Sequence, residues 1–441
     1  MSEQGARHAV VIGASMSGLL AARVLSAHFE RVTVLERDEV TAEALPRKGQ
    51  PHARHLHSLL AQGLAIFERF FPGLRQDLCA GGALLGDMGA DMRWYASGGY
   101  RRQFESGMTG VLMTRAFLEQ CVRRRVAALP NVTIRSRADV DQPLADGARV
   151  AGVRLDGEGA SPEVVEADLV VDASGRGTAT PKWMEALGYG RPEESAVKIN
   201  MGYSTRMFRR QEGDLQGAKL VLVSAHLPQV RRSGYVFPVE GERWMATLGG
   251  WGGEYPPADE AGFLDHARGL AAPDVHDLLA RLEPLGDIIQ HRLPSNLRRH
   301  YERMRRWPER YLVMGDAVAS FNPVYAQGMT SAAMQAAVLD EVLSTRRNGL
   351  DGLRERYFPR VAAVVDMAWR LAVCEDFRAT TTGPKPPGTD IVNTYVARVH
   401  RATHVDPSVY RMFLDVMNLV KPATSLLRPR AVWRVMRAAA R

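Results

Sequence analysis

The chain has 441 residues, of which 46% are hydrophobic and 24% are charged, and its formal net charge is +8. This length predicts two or three packed units, and the composition excludes a long disordered region. The three cysteines form no CxxC pair or Cys/His cluster, which excludes a structural zinc site and favours a reducing cytoplasm. The scattered basic residues match no nucleic-acid-binding motif, so no nucleic-acid partner is expected.

The N-terminal elements are predicted to be a strand, a helix and a second strand. The β-branched run 9–12 leads through a Gly/Ser turn into a helical pattern that reaches about residue 28, and residues 31–36 form the next strand. Because the crossover is short and helical, the two strands should be parallel. Such a β-α-β unit is the framework of a dinucleotide-binding turn.

The turn of this unit has the residues that a dinucleotide requires. Gly13 permits a tight turn, the small Ser15 lets the backbone approach a pyrophosphate, and Gly18 lets the helix pack on the strand. The helix N-terminus around Ser17 offers free N–H groups to the anion, and Glu36 can accept hydrogen bonds from ribose. Although Ser15 replaces the usual middle glycine, the elements occur in register. They predict a site for FAD or NAD, and the acid argues against NADP.

The following stretch predicts two helices and a small sheet. Helical periodicity runs from about residue 55 to residue 70 and again from about residue 114 to residue 130. The alternating stretch 131–166, with a turn at Asp156-Gly157, predicts an antiparallel meander. A buried strand follows it at 168–173.

Longer strands are predicted at 197–208, 219–226, 234–239 and 243–249, and the last two form a hairpin. Alternation places about half of their side chains on each face, so that one face can line an apolar pocket. The large candidates are Met201, Tyr203, Met207, Phe208, Tyr235, Phe237, Trp244, Met245 and Trp251. Three further side chains lie either at the mouth of this pocket, holding a carboxylate or a phosphate, or in solvent: Arg206, Arg209 and Arg210.

The C-terminal part is predicted to be helical from residue 351, apart from the Pro/Gly-rich linker 379–389. Its last segment, 416–441, contains six Lys/Arg residues and no acid, with apolar residues between them. A basic amphipathic helix of this kind either covers the protein as a lid, which is the interpretation we prefer, or lies on an anionic membrane. The second alternative would make the protein membrane-peripheral.

A second motif joins a strand at 310–314 to a long apolar helix at 328–345. The segment 311–329 reads YLVMGDAVASFNPVYAQGM and contains Gly315, Asp316, Pro323, Gln327, Gly328 and Met329. Here the sequence resembles the FAD-dependent monooxygenases of the p-hydroxybenzoate hydroxylase and squalene epoxidase type. A helix that begins near Gly328 would direct its positive N-terminal dipole at the negative charge of the reduced flavin that this resemblance implies. In that family the Gly-Asp aspartate binds the ribityl chain of FAD.

The resemblance is closer still to bacterial flavin epoxidases of polyketide and terpenoid biosynthesis. The matching segments are ERD at 36–38, RKGQPHARHLH at 47–57, DASGRG at 172–177 and GDAVASFNPVYAQGM at 315–329. It implies FAD as the cofactor and epoxidation of a C=C bond in an apolar intermediate through a C4a-hydroperoxyflavin, with O2 as co-substrate. The alternatives are an aromatic hydroxylase, a flavin dehydrogenase or reductase, a halogenase, and a protein that only binds FAD. The absence of a WxWxIP segment argues against the halogenase.

The resemblance also indicates site residues. Pro323, Gln327 and Gly328 are expected beside the flavin, where no obligatory acid or base is needed. The expected cofactor-binding residues are Gly13, Ser15, Ser17, Gly18, Glu36, Arg37, Arg54, Arg115, Asp316, Gly328 and Met329. No metal site is expected, because His52, His55 and His57 lack carboxylate or cysteine neighbours. Since Ser174-Gly175 stands where the family has Asp-Gly, reduction comes either from NAD(P)H directly or from a separate flavin reductase.

The predicted fold class is α/β, with a Rossmann-like FAD-binding domain of the glutathione-reductase type, a mixed-sheet substrate domain and a helical C-terminal part. We expect a discontinuous FAD-binding domain at 1–78, 111–190 and 300–350. The substrate-binding domain should comprise 79–110 and 191–299. Residues 351–441 should form the C-terminal helical region.

Overall fold

The computed structural model describes residues 8–156, 162–345, 349–379 and 381–439. Gly157 of the predicted Asp156-Gly157 turn, Thr380 of the predicted linker and Arg441 of the basic tail lie outside these residues. The predicted α/β class is confirmed, because the structure contains a parallel sheet, a large mixed sheet and a helical C-terminal part.

The strands are, in chain order, β1 (His8–Ile12), β2 (Arg31–Leu35), β3 (Leu84–Asp87), β4 (Met92–Ala96), β5 (Gly99–Tyr100), β6 (Thr109–Leu112), β7 (Val132–Arg135), β8 (Val140–Asp146), β9 (Arg149–Leu155), β10 (Glu163–Glu166), β11 (Leu169–Asp172), β12 (Glu194–Arg209), β13 (Leu220–Val223), β14 (Arg232–Val239), β15 (Arg243–Gly250), β16 (Pro284–Arg299), β17 (Tyr311–Val313) and β18 (Ala319–Ser320).

The helices are α1 (Met16–Leu25), α2 (Ala61–Phe70), α3 (Leu74–Ala80), α4 (Arg115–Ala127), α5 (Thr180–Ala186), α6 (Glu260–Arg268), α7 (Asp274–Leu279), α8 (Gly328–Ser344), α9 (Leu353–Asp376), α10 (Thr389–Ala402), α11 (Pro407–Met417) and α12 (Pro429–Ala439). Short 3-10 turns occur at Pro51–Arg54, Tyr301–Arg303, Gly315–Ala317, Pro323–Tyr325 and Ala423–Leu427. None of the helices in the described part of the chain is long and apolar enough to cross a membrane.

The parallel sheet has the strand order β17-β11-β1-β2-β7. Every residue of β1 and β11 is buried, as expected for central strands covered on both faces. Helices α1 and α8 pack on each other beside this sheet. The sheet brings the first and second sequence motifs together, since β1 and β17 are both neighbours of β11 and end at the same edge.

Two predictions about the neighbouring elements were wrong. Strand β7 belongs to the parallel sheet, where Val132 pairs with Val32, and the antiparallel meander contains only β8, β9 and β10. The helix predicted to start at residue 55 starts at Ala61. The preceding residues are held by the large mixed sheet instead, because the His55 ring nitrogen lies 2.8 Å from the Thr205 hydroxyl and the Leu56 N–H donates to Thr247.

The mixed sheet has eight strands in the order β18-β16-β12-β15-β14-β13-β4-β5. The predicted hairpin is β14 and β15, and Phe237 pairs with Met245 in it. Strand β16, sixteen residues long, was not predicted. One face of the sheet packs on α6 and α7, and the other faces a large cavity whose far side is formed by the C-terminal helices.

Candidate functional site

The turn between β1 and α1 is a closely packed cradle. Gly13 has φ +97°, and a Cβ atom there would lie 2.8 Å from the Ala173 carbonyl oxygen. A Cβ atom on Gly18 would lie 1.8 Å from the Gly13 carbonyl oxygen, so that only glycine fits at either position. Ser15, the N-cap of α1, makes no side-chain cap, which leaves the helix N-terminus available to an anion.

A buried cluster of charges surrounds this cradle. Glu36 accepts hydrogen bonds from the N–H groups of Ala14 at 2.8 Å and Asp38 at 3.1 Å, and it pairs with Arg47 at 3.0 Å. Glu119 contacts Arg47 at 2.7 Å and Arg115 at 2.9 Å. Burial opposes the ionisation of Glu119, but the surrounding arginines lower its pKa nonetheless.

The cluster has an excess of positive charge beside Ser15. Arg123 also approaches Glu119, at 3.6 Å, so that three guanidiniums face the two carboxylates of Glu36 and Glu119. Arg115, which sequence patterns left open as a surface residue, is buried and donates to the Ser15 hydroxyl at 3.1 Å. Sequence reasoning did not assign Arg47 or Glu119 to the site. Arg47 opens the matching segment 47–57 but received no role there, Glu119 carries no motif, and only the packing of α4 on the cradle joins them.

The second motif meets the first at this cradle. A Cβ atom on Gly315 would lie 2.3 Å from the Ser17 hydroxyl oxygen, and one on Gly328 would lie 3.8 Å from the Asp316 carboxylate. Asp316 is therefore beside the N-terminus of α8, whose N-cap residue, Gln327, makes no side-chain cap. Burial raises the pKa of the Asp316 carboxyl to about 6, against the opposing charges of Arg176 and Arg115.

Several buried polar atoms here have no hydrogen-bond partner within the described ranges. They include the hydroxyl oxygen of Ser17 and the amide oxygen of Gln327. Buried polar groups are normally satisfied, so these atoms point to a polar ligand. Together with two uncapped helix N-termini and the positive cluster, they fit a cofactor with a pyrophosphate and a polyhydroxyl chain.

The loop before α8 is held by one buried carboxylate, which sequence reasoning missed. Asp376, at the end of α9, has no solvent exposure. It accepts hydrogen bonds from Asn322 at 2.8 Å, Tyr325 at 2.8 Å and Asn296 at 2.7 Å. Burial raises its pKa to about 6 although these donors favour the ionised form. Asp376 thus fixes the segment that contains Pro323 against the mixed sheet.

A cavity of about 810 Å³ opens beside this loop. Residues 323–327 form part of its wall, and the mixed sheet and the C-terminal helices form the rest. Five of the predicted pocket residues line it, namely Met201, Tyr203, Tyr235, Phe237 and Trp251. Phe208 and Trp244 pack on the other face with α6 and α7, as the alternation of a strand requires. The volume is within the range of a drug-sized ligand site.

The three arginines for which the sequence left open the pocket mouth or solvent have partners outside the cavity wall. Arg206 pairs with Glu260 at 3.3 Å, Arg209 pairs with Glu283 at 2.6 Å, and Arg210 lies over the Trp244 ring. None of the three lines the cavity. All three have partners away from the cavity wall, which argues against the alternative that they hold a substrate anion there.

Other predicted site residues are more dispersed. Arg37 and Arg54 are exposed, whereas Met329 is buried in the first turn of α8. His52 and His55 lie in a histidine-rich cluster, and burial lowers their pKa values to about 4 and about 3. No group of three or more potential ligands able to hold a metal ion occurs in the described parts of the chain.

Comparison with known proteins agrees with this geometry. Residues 7–368 match the model of the FAD-binding domain family. The chain is 35% identical over 436 residues to the protein Rv3254 of Mycobacterium tuberculosis, and the alignment covers 94% of this chain and 90% of that protein.

Two solved structures show a similar fold. PqsL, a probable FAD-dependent monooxygenase from Pseudomonas aeruginosa, has a TM-score of 0.62 and 17% identity, with 84% of this chain and 98% of that chain covered. The flavin-dependent brominase Bmp2 has a TM-score of 0.69 and 13% identity, with 98% of both chains covered. At such low identity the likeness concerns the fold alone.

Proposed function

The chain belongs to the FAD-binding domain family and its cofactor is FAD, and from this premise we propose that it is an FAD-dependent monooxygenase. More specifically, we propose that it epoxidises a C=C bond of an apolar polyketide or terpenoid intermediate. The observation that carries the proposal is the shared wall: the loop expected beside the flavin, 323–327, borders a cavity lined mainly by apolar side chains. An apolar substrate in this cavity would lie against the cofactor.

The FAD would be held by groups from both motifs. Gly13, Ser15 and the N-terminus of α1 would receive the pyrophosphate, with Arg115 contributing charge, and Glu36 would bind the adenosine ribose. Ser17, Asp316 and Met329 would contact the ribityl and flavin parts. The unpartnered hydroxyl of Ser17 and the raised pKa of Asp316 support this assignment. Arg37 and Arg54 are exposed and remain predictions without structural support. The division of the chain into a three-segment FAD-binding domain, a two-segment substrate-binding domain and a C-terminal helical region is likewise part of this proposal.

The protein's own contribution is to bind, orient and exclude water. Reduced flavin supplies the activated oxygen atom by reaction with O2. Addition of an electrophilic oxygen atom to C=C requires no obligatory protein acid or base, and the walls around Tyr203, Phe237 and Trp251 keep the reaction dry. Gln327, only 1% exposed, has an unpartnered amide oxygen beside the flavin loop. Asp376 keeps this loop in place.

Other flavin reactions would use the same cradle. The alternatives are an aromatic hydroxylase, a dehydrogenase or reductase, and a halogenase. They differ from an epoxidase in the lining of the substrate cavity and in the product, but they would hold FAD in the same way. The apolar wall favours the epoxidase over a hydroxylase of small aromatic acids. The electron donor stays a prediction. Because Ser174-Gly175 stands where the family has Asp-Gly, the flavin is reduced either by NAD(P)H directly or by a separate flavin reductase.

Contact with a membrane is a further part of the proposal. Helix α12 packs through Val435, but its outer face exposes Trp433 and Met436 between Arg430 and Arg437. A face of this kind can lie on an anionic bilayer. The part of the predicted lid that walls the cavity is residues 416–418 and the turn at 423–427, together with α10 and α11. Co-sedimentation with phosphatidylserine vesicles, but not with phosphatidylcholine vesicles, checks the membrane contact.

A ligand survey tests the substrate class. We expect sesquiterpenoid and polyene ligands to perturb the flavin absorbance of the holoenzyme at micromolar concentrations, whereas hydroxybenzoates leave it unchanged. Leu222→Trp, which fills part of the cavity wall, should weaken this binding at least about tenfold through steric overlap. Met207→Trp is the matched control, since Met207 is on the same sheet but does not line the cavity. Hydroxybenzoates binding more tightly than polyenes would contradict the epoxidase assignment.

A further inference from the structure

The cavity wall contains a buried cation. Arg101 follows β5 and lines the cavity, yet only 4% of its surface is exposed. Its guanidinium lies over the rings of Trp94, at 4.1 Å, and Phe413, at 4.3 Å. These aromatic contacts from the sheet and from α11 attract the guanidinium and fix its position, but they supply no paired carboxylate.

No carboxylate pairs with Arg101 among the residues that the structure describes. Its guanidinium donates one hydrogen bond to the Thr403 hydroxyl and another, 2.8 Å long, to the His400 ring nitrogen. Its Nε has no hydrogen-bond partner among the described residues. Burial lowers the pKa of His400 well below its usual value, with a further contribution from Arg101, so that this ring is neutral. Burial also lowers the pKa of Arg101 to about 10, which still leaves it a cation near neutral pH.

The acids of the same wall are committed to other partners. Glu375 forms its ion pair with Arg378 at 2.9 Å, and its charge acts on Arg101 only from beyond ion-pairing distance, where it favours the protonated guanidinium. Asp87 accepts hydrogen bonds from the backbone N–H groups of Gly89 and Gly107, each at 2.7 Å, and its pKa is lowered to about 2. A buried guanidinium without a counter-ion is costly, and such groups are normally paired. The missing partner can come from the ligand that occupies the cavity.

We propose that Arg101 binds a carboxylate at one end of an otherwise apolar substrate. This inference rests on the proposed function and narrows it from an apolar alkene to an apolar alkenoic acid. A carboxylate can accept two parallel hydrogen bonds from a guanidinium, and here the aromatic rings hold that guanidinium in one orientation. With its acid end fixed at Arg101, the substrate would extend along the apolar walls, and chain length would decide which C=C bond reaches the loop at 323–327.

The test compares an acid with its neutral ester. Farnesoic acid and methyl farnesoate are titrated into the FAD-loaded protein at about pH 7.5, and binding is followed by flavin absorbance. A buried hydrogen bond to a charged group corresponds to roughly a 10- to 150-fold difference in affinity, so the acid should bind the wild type more tightly by that factor. In Arg101→Met the ratio should fall to within about threefold of unity, with the affinity for the ester nearly unchanged.

Two further variants complete the experiment. Arg370→Met is the matched control, because Arg370 lines the same cavity but is exposed, and its acid-to-ester ratio should stay within about threefold of the wild type. Arg101→Lys keeps the charge and should give an intermediate ratio. FAD content and melting temperature verify that each variant is folded.

The outcomes separate the two levels of the proposal. If both probes bind the wild type equally, or if the preference for the acid survives in Arg101→Met, the role of Arg101 is overturned while the apolar pocket stands. If neither probe binds and hydroxybenzoates do, the proposed function fails, and the assignment of Arg101 fails with it.

Discussion

Gly13→Val will yield a folded protein that contains no FAD. Any Cβ atom at this position would lie 2.8 Å from the Ala173 carbonyl oxygen, and φ +97° is unfavourable for a β-branched residue. The turn must therefore move away from the position in which it receives the pyrophosphate. The ratio of flavin absorbance to protein absorbance in the purified protein measures the loss directly.

Gly147→Val is the matched control for this substitution. Gly147 also has a positive φ, +61°, but nothing lies within 4 Å of its Cβ position. Both variants carry backbone strain of about 1–2 kcal/mol, but only Gly13→Val should lose its bound FAD and the associated flavin absorbance. Glu36→Ala provides an independent test, because it removes the acceptor for the Ala14 N–H and the partner of Arg47. A Gly13→Val protein as yellow as the wild type would contradict the assignment of the cradle.

Asp316→Asn will weaken FAD binding in a pH-dependent manner. An ionised carboxylate is a stronger acceptor for ribityl hydroxyls than an amide, and the difference should cost about 1.5–3 kcal/mol, or roughly 10- to 150-fold in Kd, near pH 8. The pKa of Asp316 is raised to about 6. Below that pH the wild-type side chain is itself protonated, so the wild type should lose affinity as the pH falls from about 8 to about 5.

The variant has no carboxyl group to titrate at this position. Its Kd for FAD should change much less over the same pH range, and the two proteins should approach each other near pH 5. Asp351→Asn is the control, since the Asp351 side chain is 72% exposed and distant in sequence from the cradle. Equal Kd values for wild type and Asp316→Asn at every pH would show that Asp316 does not contact the cofactor.

Local patterns were sufficient for the elements that carry the cofactor motifs. The run at 9–12, the turn at Gly13 and the helix that follows are determined by residues close in sequence, and the structure has them as β1 and α1. The same holds for the hairpin of β14 and β15. Alternation predicted that its large side chains divide between two faces, and the structure has Phe237 on the cavity face and Trp244 on the other.

Elements that depend on distant partners were not predictable. Strand β16 contains Pro284, Gly286 and Pro294, which lower its strand propensity, and it forms because it pairs with β12. The stretch that contains β7 was predicted to belong to the meander, and nothing in its sequence chooses β2 over β8. For the same reason residues 55–60 continue a helical pattern yet are not helical, since the mixed sheet offers Thr205 and Thr247 as partners.

The buried polar residues of the site show most clearly what the sequence alone cannot predict. Glu119 is one of the 13 residues of α4, and only the arginines that surround it distinguish it from the others. Asp376 and Arg101 carry no motif either, and they acquire a role only where α9, α10, α11 and the mixed sheet meet around the cavity. Burial and partners, which are tertiary properties, identify them.

Oxygen-isotope transfer tests the central claim most directly. The FAD-loaded protein is reduced, mixed with farnesoic acid under oxygen-18-labelled dioxygen, and the products are analysed by mass spectrometry. A monooxygenase of the proposed type should place one labelled oxygen atom in an epoxide, and Gly13→Val should form none. Unlabelled product, or reoxidation of the flavin with hydrogen peroxide as the sole oxygen product for every alkene offered, would contradict the account.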